Sequence, residues 1–196
     1  MPSTISIRRA EFPKDAVIAQ QLLNSYGTAM PLHLQPALKF QGFDQEVAKV
    51  AEKWSCSEGR SFLLAFNEET QEPLGCVALR PLELQDVPES PVAPSSFVDA
   101  VVVRVTERRK TSCEMKRLYT HPAARGHGVG KRLVVAIIEE GRTLGYDEMR
   151  LDTVPEMSVA IKLYESLGFE ESEKYNETPA PGIVFFRKDL RSVGRP

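Results

Sequence analysis

Arg125-Gly126-His127-Gly128-Val129-Gly130 follows a strand-like run, Met115 to Thr120, and leads directly into a helical run, Lys131 to Leu144. Three glycines at alternate positions leave the backbone N–H groups bare, and the helix that follows aims the positive end of its dipole at the same spot. Such a segment is a site for a pyrophosphate. Spacing narrows the kind. A P-loop needs Gly at 125 and Ser or Thr at 132, but both positions hold Arg, so the hydroxyl that would sit on magnesium is missing. A dinucleotide fingerprint starting at Gly126 needs a third glycine at 131, where Lys131 stands, and no βαβ opening with a ribose-binding acid can be drawn.

The flanks extend the pattern in both directions. Before the turn comes Glu114-Met115-Lys116-Arg117-Leu118-Tyr119-Thr120-His121-Pro122. After it come Leu151-Asp152-Thr153-Val154-Pro155 and Ala160-Ile161-Lys162-Leu163-Tyr164-Glu165-Ser166-Leu167-Gly168-Phe169. The turn fits R/Q-x-x-G-x-G/A and the last segment fits A-x-x-L-Y-x-x-x-G-F. Together they resemble the GNAT superfamily of acetyl-CoA-dependent N-acetyltransferases. The resemblance is clear over 113–190 and weaker over 62–82; residues 11–60 match only as the expected pair of variable helices. One departure stands out: seven residues before the motif tyrosine the superfamily often has an Asn that reaches the cofactor arm, and here that position is Met157, with Ser158 beside it as a partial replacement.

Composition agrees with one enzyme domain spanning 1–196. The 196 residues, 42% hydrophobic and 27% charged, suffice for one well-buried core and are too few for two comfortable ones. A net charge of -2, with basic runs no longer than Arg108-Arg109-Lys110 and pairs such as Arg8-Arg9, argues against a nucleic-acid partner. Three cysteines, Cys56, Cys76 and Cys113, form no C-x-x-C, and His33, His121 and His127 show no ligand spacing with them, so neither a metal site nor a disulfide framework is expected. There is no apolar leader and no run of eighteen apolar residues, so no membrane partner is expected. A reducing compartment, cytoplasm or nucleus, follows. Monomer and homodimer both stay open.

Along the chain, Thr4 to Arg8 reads as a strand. Pro13 to Tyr26 reads as a helix with Asp15 in its first turn, residues 27–43 as an irregular connection, and Asp44 to Lys53 as a shorter helix. Ser61 to Asn67 and Glu72 to Leu82 are neighbouring strands around the polar Glu68-Glu69-Thr70-Gln71 turn. Three prolines between Gln85 and Ser96 mark a surface insertion, about 85–112, with Val101 to Val105 as a strand extension. The helix Lys131 to Leu144 stacks Leu133, Val134, Ile137, Ile138, Gly141 and Leu144 on one stripe, stopped by Gly145. Glu148 to Asp152, Phe169 to Ser172 and Ile183 to Asp189 read as strands, with a helix from Met157 to Leu167 among them. Periodicity alone gives α/β or α+β. The resemblance implies the order β-α-α-β-β-β-α-β-α-β-β, a mixed central sheet flanked by helices.

Acetyl transfer from a thioester to an amine needs donors for the developing oxyanion, removal of a proton from the ammonium, and a proton for the departing thiolate. By resemblance, a main-chain N–H near Leu118 serves the oxyanion, because a strand that parts from its neighbour leaves such donors unpaired. Glu114 is the favoured base, acting directly or through water; its structural alternative is pairing with Lys116 or with a basic side chain on an adjacent strand. A regular pleat would put Glu114, Lys116, Leu118 and Thr120 on one face. The resemblance carries the thiolate-protonating role to Tyr164, the favoured acid, set against plain core packing in an amphipathic helix. Arg125, Gly126, His127, Gly128, Val129, Gly130 and Lys131 are expected to hold the pyrophosphate, and Leu118, Tyr119 and Thr120 to pair with the pantetheine amides of acetyl-CoA as an added strand would. The resemblance implies an acceptor wall from the first two helices and the last β-hairpin, here about 26–43 and 173–182, which carry Tyr26, His33, Phe40, Phe43, Tyr175 and Asn176; Arg80 is a candidate for a substrate carboxylate. The leading expectation is acetylation of a small-molecule amine by direct attack in a ternary complex. Acetylation of a peptide amine, or a non-catalytic acyl-CoA-binding module, are the alternatives.

Overall fold

Seven strands form one mixed sheet in the order β1-β2-β3-β4-β5-β7-β6. The computed structural model describes residues 4–55, 58–82 and 111–191. The described strands are β1 (Ile5–Arg9), β2 (Ser61–Asn67), β3 (Pro73–Leu82), β4 (Ser112–Thr120), β5 (Glu148–Thr153), β6 (Glu170–Ser172) and β7 (Val184–Asp189). Neighbours run antiparallel except β4 and β5, which are parallel. Of the insertion expected over 85–112, only Thr111 and Ser112 are described, and Ser112 already opens β4; Val101–Val105 and Cys56 lie outside the described residues.

One face carries α5 (Val129–Thr143), whose stripe Leu133, Val134, Ile137 and Ile138 is buried against Leu63, Val77, Leu79, Met115 and Met149. Gly141 lies on that stripe because a Cβ there would stand 3.0 Å from Leu190 Cδ1 and 3.1 Å from Met149 Cε. The opposite face carries α1 (Ala16–Ala29), α3 (Phe43–Ala48) and α4 (Val50–Trp54), whose Leu22, Leu23, Phe43, Val50 and Trp54 pack on Phe62, Leu64, Cys76 and Ala78. The last helix, α6, spans Ser158–Ser166.

The N-terminal helical region differs from the reading as one irregular connection and one helix. Residues 27–43 hold the end of α1, a 3-10 turn at Leu32–Leu34 and a short helix, α2 (Gln35–Phe40). Pro36 stands in the first turn of α2, where its missing N–H leaves no hydrogen bond unmade, so the proline marks a start and not an absence of helix. Gly42, at φ 69°, separates α2 from α3. The expected helix from Asp44 to Lys53 divides at Lys49 into α3 and α4. Asp15 directly precedes α1 and gives its carboxylate to Arg8, at 2.6 and 2.9 Å, instead of to the helix N–H groups.

Candidate active site

From Thr120 the chain makes one 3-10 turn over Pro122–Ala124 and enters α5 at Val129, two residues before the start read from the sequence. Gly126 and Gly128 lie at φ 79° and 77°, left-handed backbone that glycine adopts at no steric cost. A Cβ added to either meets nothing within 4 Å, so the glycines face open space. Gly128 caps α5 without a side chain to offer, which leaves the first helical N–H groups for an anion. Arg125, His127 and Lys131 are exposed around this turn, and His127 Nδ1 lies 3.0 Å from the Arg125 carbonyl oxygen. Gly130 sits against the end of β4: a Cβ there would lie 3.4 Å from Thr120 Oγ1.

Next to the turn, the sheet opens. Strands β4 and β5 pair at Ser112, Cys113 and Glu114 with Glu148, Met149 and Arg150, and no register pair joins them further on. The gap leads into a cavity of about 160 Å³ between the two helical layers, bordered by Leu118, Leu151, Met157 and Tyr164 on one side and by Tyr26, Leu38 and Gln41 on the other. Where the strands part, β4 carries a bulge. Its register against β3 jumps between Cys76–Tyr119 and Ala78–Lys116, and Arg117 in the bulge has φ 58°. The bulge corrects the expected pleat: Leu118 packs with Met115 in the α5-side core, Thr120 meets Gly130 at the start of α5, and Tyr119 packs with the α1-side core. A regular strand cannot place Leu118 on the face of Met115, three residues away; the extra residue at Arg117 resets the alternation.

Left-handed backbone at an arginine is costly and persists where its surroundings over-determine it. Arg117 is held by Glu46 at 2.9 Å through both Nε and Nη2, by Gln41 Oε1 at 3.0 Å, and by the rings of Tyr26 and Phe43, 5.7 and 5.0 Å from its guanidinium carbon. Glu46 also accepts from Lys53 at 2.8 Å and from the Trp54 indole at 3.2 Å. Burial alone would push the Glu46 carboxyl up, but the hydrogen bonds and charges of Arg117 and Lys53 outweigh it and bring the carboxyl down to about 2.

Tyr164 borders the cavity from α6 with its ring packed edge-on to Phe169, centroids 5.8 Å apart, and tilted against Phe186 at 6.3 Å. Burial, and then the charges at Tyr26 and Asp152, push its phenol well above the ordinary tyrosine range, so the hydroxyl keeps its proton at neutral pH. Met157, directly before α6, borders the cavity, while Ser158, the first residue of the helix, is exposed.

Glu114 is fully buried, at 0% exposure, and surrounded by donors. Its Oε2 accepts from Arg80 Nε at 2.7 Å and Nη2 at 2.6 Å; its Oε1 takes Lys116 Nζ at 3.2 Å and the Tyr175 hydroxyl at 3.1 Å. The pairing weighed as the alternative role of Glu114 is present on both sides, and Arg80, the candidate for a substrate carboxylate, is engaged by Glu114. Lys116 continues the chain of contacts to Asp152 Oδ1 at 2.8 Å, and Lys116 and Asp152 both border the cavity. Of the expected acceptor wall, Tyr26 borders the cavity, Phe43 packs against Tyr26, Tyr175 serves Glu114, and Phe40 is exposed; His33 lies 3.5 Å from Glu156 across the rim. Gln41 donates to Thr178 Oγ1 at 3.2 Å, which ties α2 to the segment before β7, and Asn176 Nδ2 is buried there without a partner among the described residues.

Lys116, Asp152, Gln41, Glu46, Arg117 and Thr178 were not singled out as site residues by sequence. One signal was there: Glu148, Arg150 and Asp152 line one face of a motif strand whose other face carries Met149 and Leu151, and charges in a central strand need partners.

This arrangement is that of an acyl-transfer fold, with a bare glycine turn at a helix start, a parted pair of parallel strands and a protonated tyrosine beside one cavity. The sequence pattern of the acetyltransferase (GNAT) family matches residues 28–169. An uncharacterized N-acetyltransferase of Schizosaccharomyces pombe is 32% identical over 193 residues, 96% of this chain and 97% of its own length. An aminoglycoside N(6')-acetyltransferase type 1 of Salmonella typhimurium is 34% identical over 74 residues, 38% of this chain and 46% of that protein. Among solved structures, the yncA protein of Salmonella typhimurium, solved with its cofactor acetyl-CoA, superposes with a TM-score of 0.64 at 18% identity, covering 98% of this chain and 97% of that one; this likeness shows the fold. The chain belongs to the GNAT family of acetyltransferases.

Proposed function

We propose that the chain works as a single N-acetyltransferase domain that moves an acetyl group from acetyl-CoA to the primary amine of a small molecule, by direct attack while both substrates are bound. The observation that carries this reading is the parting of β4 from β5 between the bare glycine turn and the Tyr164 hydroxyl. Acetyl-CoA fits these residues, since a phosphate-bearing group needs close backbone approach and the left-handed Gly126 and Gly128 leave that space open. When bound, acetyl-CoA supplies the activated acyl carbon. Backbone N–H groups from Gly126 to Lys131 would hold its pyrophosphate, with charge from Arg125 and Lys131. Main-chain groups of Leu118, Tyr119 and Thr120 would pair with the pantetheine arm; the Tyr119 side chain, buried in the α1 layer, takes no part. Ser158 is left to contact the arm from the rim of α6.

A main-chain N–H near Leu118 is the proposed donor to the carbonyl oxygen, and Tyr164 the donor to the thiolate. Removal of the ammonium proton falls to one of the two carboxylates paired with Lys116, with Glu114 and Asp152 as the candidates. The Gln41–Thr178 hydrogen bond favours a small acceptor, because it joins the two segments between which a peptide groove would run. A relative named for aminoglycosides is consistent with that class. The test is thiol release from acetyl-CoA across a panel of small amines and peptides. Release stimulated by a small amine is expected. Preference for a peptide amine would favour the peptide reading, and binding without stimulated release by any acceptor would leave a non-catalytic module.

A further inference from the structure

The geometry points to Asp152 as the carboxylate that takes the proton from the acceptor amine, with Lys116 and Glu114 as the residues that position it. This inference rests on the acetyl-transfer reading above and deepens it.

The two carboxylates near the opening differ in what they can still accept. Both oxygens of Glu114 are engaged, by Arg80 on one and by Lys116 and Tyr175 on the other, and the residue has no exposed surface. For Glu114 to receive a proton, at least one of these cations or donors must first move away. Asp152 sits two residues beyond Arg150, the last residue of β5 that pairs with β4, and it borders the cavity that Tyr164 enters from α6. Its Oδ1 is fixed by Lys116 Nζ at 2.8 Å, and among the described residues no hydrogen bond is made to its Oδ2. A carboxylate with one oxygen anchored and one available is a preorganised acceptor, because the anchor fixes its direction without using the basic lone pairs of the other oxygen. Lys116 is in turn held from behind by Glu114 at 3.2 Å, so the chain Arg80–Glu114–Lys116–Asp152 alternates in sign and brings two negative and two positive groups to near balance.

The proton balance closes with groups already in the site. An N–H bond of the ammonium breaks and its proton bonds to Asp152, leaving the nitrogen lone pair free. That pair forms the C–N bond to the thioester carbon, and the C–S bond breaks with its electrons on sulfur. The thiolate takes the Tyr164 proton, and the remaining surplus proton on nitrogen restores Tyr164, while Asp152 gives its proton to solvent. Acid and base thus stand on different elements of one cavity, Tyr164 on α6 and Asp152 on β5. The titratable groups that face Asp152 are Lys116 and Glu114 from β4, Tyr164 from α6, Tyr26 from α1 and Tyr175 from the segment before β7.

The experiment uses the full chain with acetyl-CoA and the best amine of the panel. Asp152→Asn should keep acetyl-CoA affinity and lower turnover by roughly ten- to a thousandfold near neutral pH, with recovery as the pH rises toward that of the free amine. Asp152→Ala should regain turnover on addition of formate in proportion to its concentration. If Asp152→Asn fails to fold, Asp152→Ala with and without formate carries the test. Unchanged turnover in Asp152→Asn, a loss that neither alkaline pH nor formate repairs in folded protein, or alkaline-recoverable loss found only in Glu114→Gln would each overturn the assignment. Absence of amine-stimulated thiol release in the unaltered protein would overturn the acetyl-transfer reading itself.

Discussion

Tyr164 carries two loads that a single substitution separates. Its ring is packed between Phe169 and Phe186, and its hydroxyl belongs to the cavity wall. Tyr164→Phe keeps the packing and deletes only the oxygen, so the melting temperature should shift little. If the hydroxyl protonates the leaving thiolate, turnover at saturating acetyl-CoA falls by about one to three powers of ten while acetyl-CoA still binds, because the lost interaction forms only as sulfur gains charge. Steady-state rates beside a melting curve decide it: a normal rate removes the acid role whatever the stability does. Arg117 shows the opposite relation between residue type and role. Nothing in the letters Lys116-Arg117-Leu118 announces left-handed backbone, since that conformation is signalled by glycine or asparagine and is imposed here from outside, by Glu46, Gln41 and two aromatic rings. A regular pleat was therefore the natural expectation, and it misplaced Leu118 and Thr120. Tyr164 and the glycine turn were legible because each sits in a local pattern. Asp152 and Gln41 were not, because their meaning lies in partners 36 and 137 residues away.

The same division between local and distant information holds for whole elements. Helices α5 and α6 were readable within one or two residues because an apolar stripe of fixed period ends at a glycine, Gly145 or Gly168, each in left-handed backbone. Helices α2, α3 and α4 were blurred because they are five or six residues long, too short for a period to declare itself, and are held by packing of Phe43, Val50 and Trp54 onto the sheet. The start of α5 gives a prediction at this scale. Acetyl-CoA binding to the folded state should raise the melting temperature by mass action. In Gly128→Val a β-branched residue is forced to φ 77°, and its side chain projects into the space kept open for a ligand. The unliganded protein should lose on the order of 1–3 kcal/mol of stability. The acetyl-CoA-induced shift, measured against each protein's own baseline, should disappear. A shift of unchanged size and concentration dependence would move the pyrophosphate away from this turn.

At the scale of the whole molecule, the buried ion pair Glu46–Arg117 joins the helical layer of α3 to the central strand β4, across 71 residues of sequence, and it makes folding depend on pH. The Glu46 carboxyl ionises at about 2 in the folded protein, against an ordinary value of 4.5 in an unfolded chain. Its folded value is the lower one, so the stability it contributes is fully present above about pH 4.5 and is lost as the pH falls from there toward 2. Asp15, lowered by its hydrogen bonds to Arg8, contributes with the same sign from the α1 side. Within that acid window, Glu46 steepens the fall of unfolding free energy by up to about 1.4 kcal/mol per pH unit. Glu46→Gln should be destabilised at neutral pH, by roughly 3–5 kcal/mol, because Arg117 is left buried without its counter-charge. The variant should also show a flatter acid limb than the parent, since the group that titrates there is gone. Denaturation midpoints of both proteins at pH 7, 5, 4 and 3 measure the two effects together. Parallel acid limbs would mean that Glu46 is not the linkage group, and that the strain at Arg117 is balanced by its aromatic and amide contacts alone.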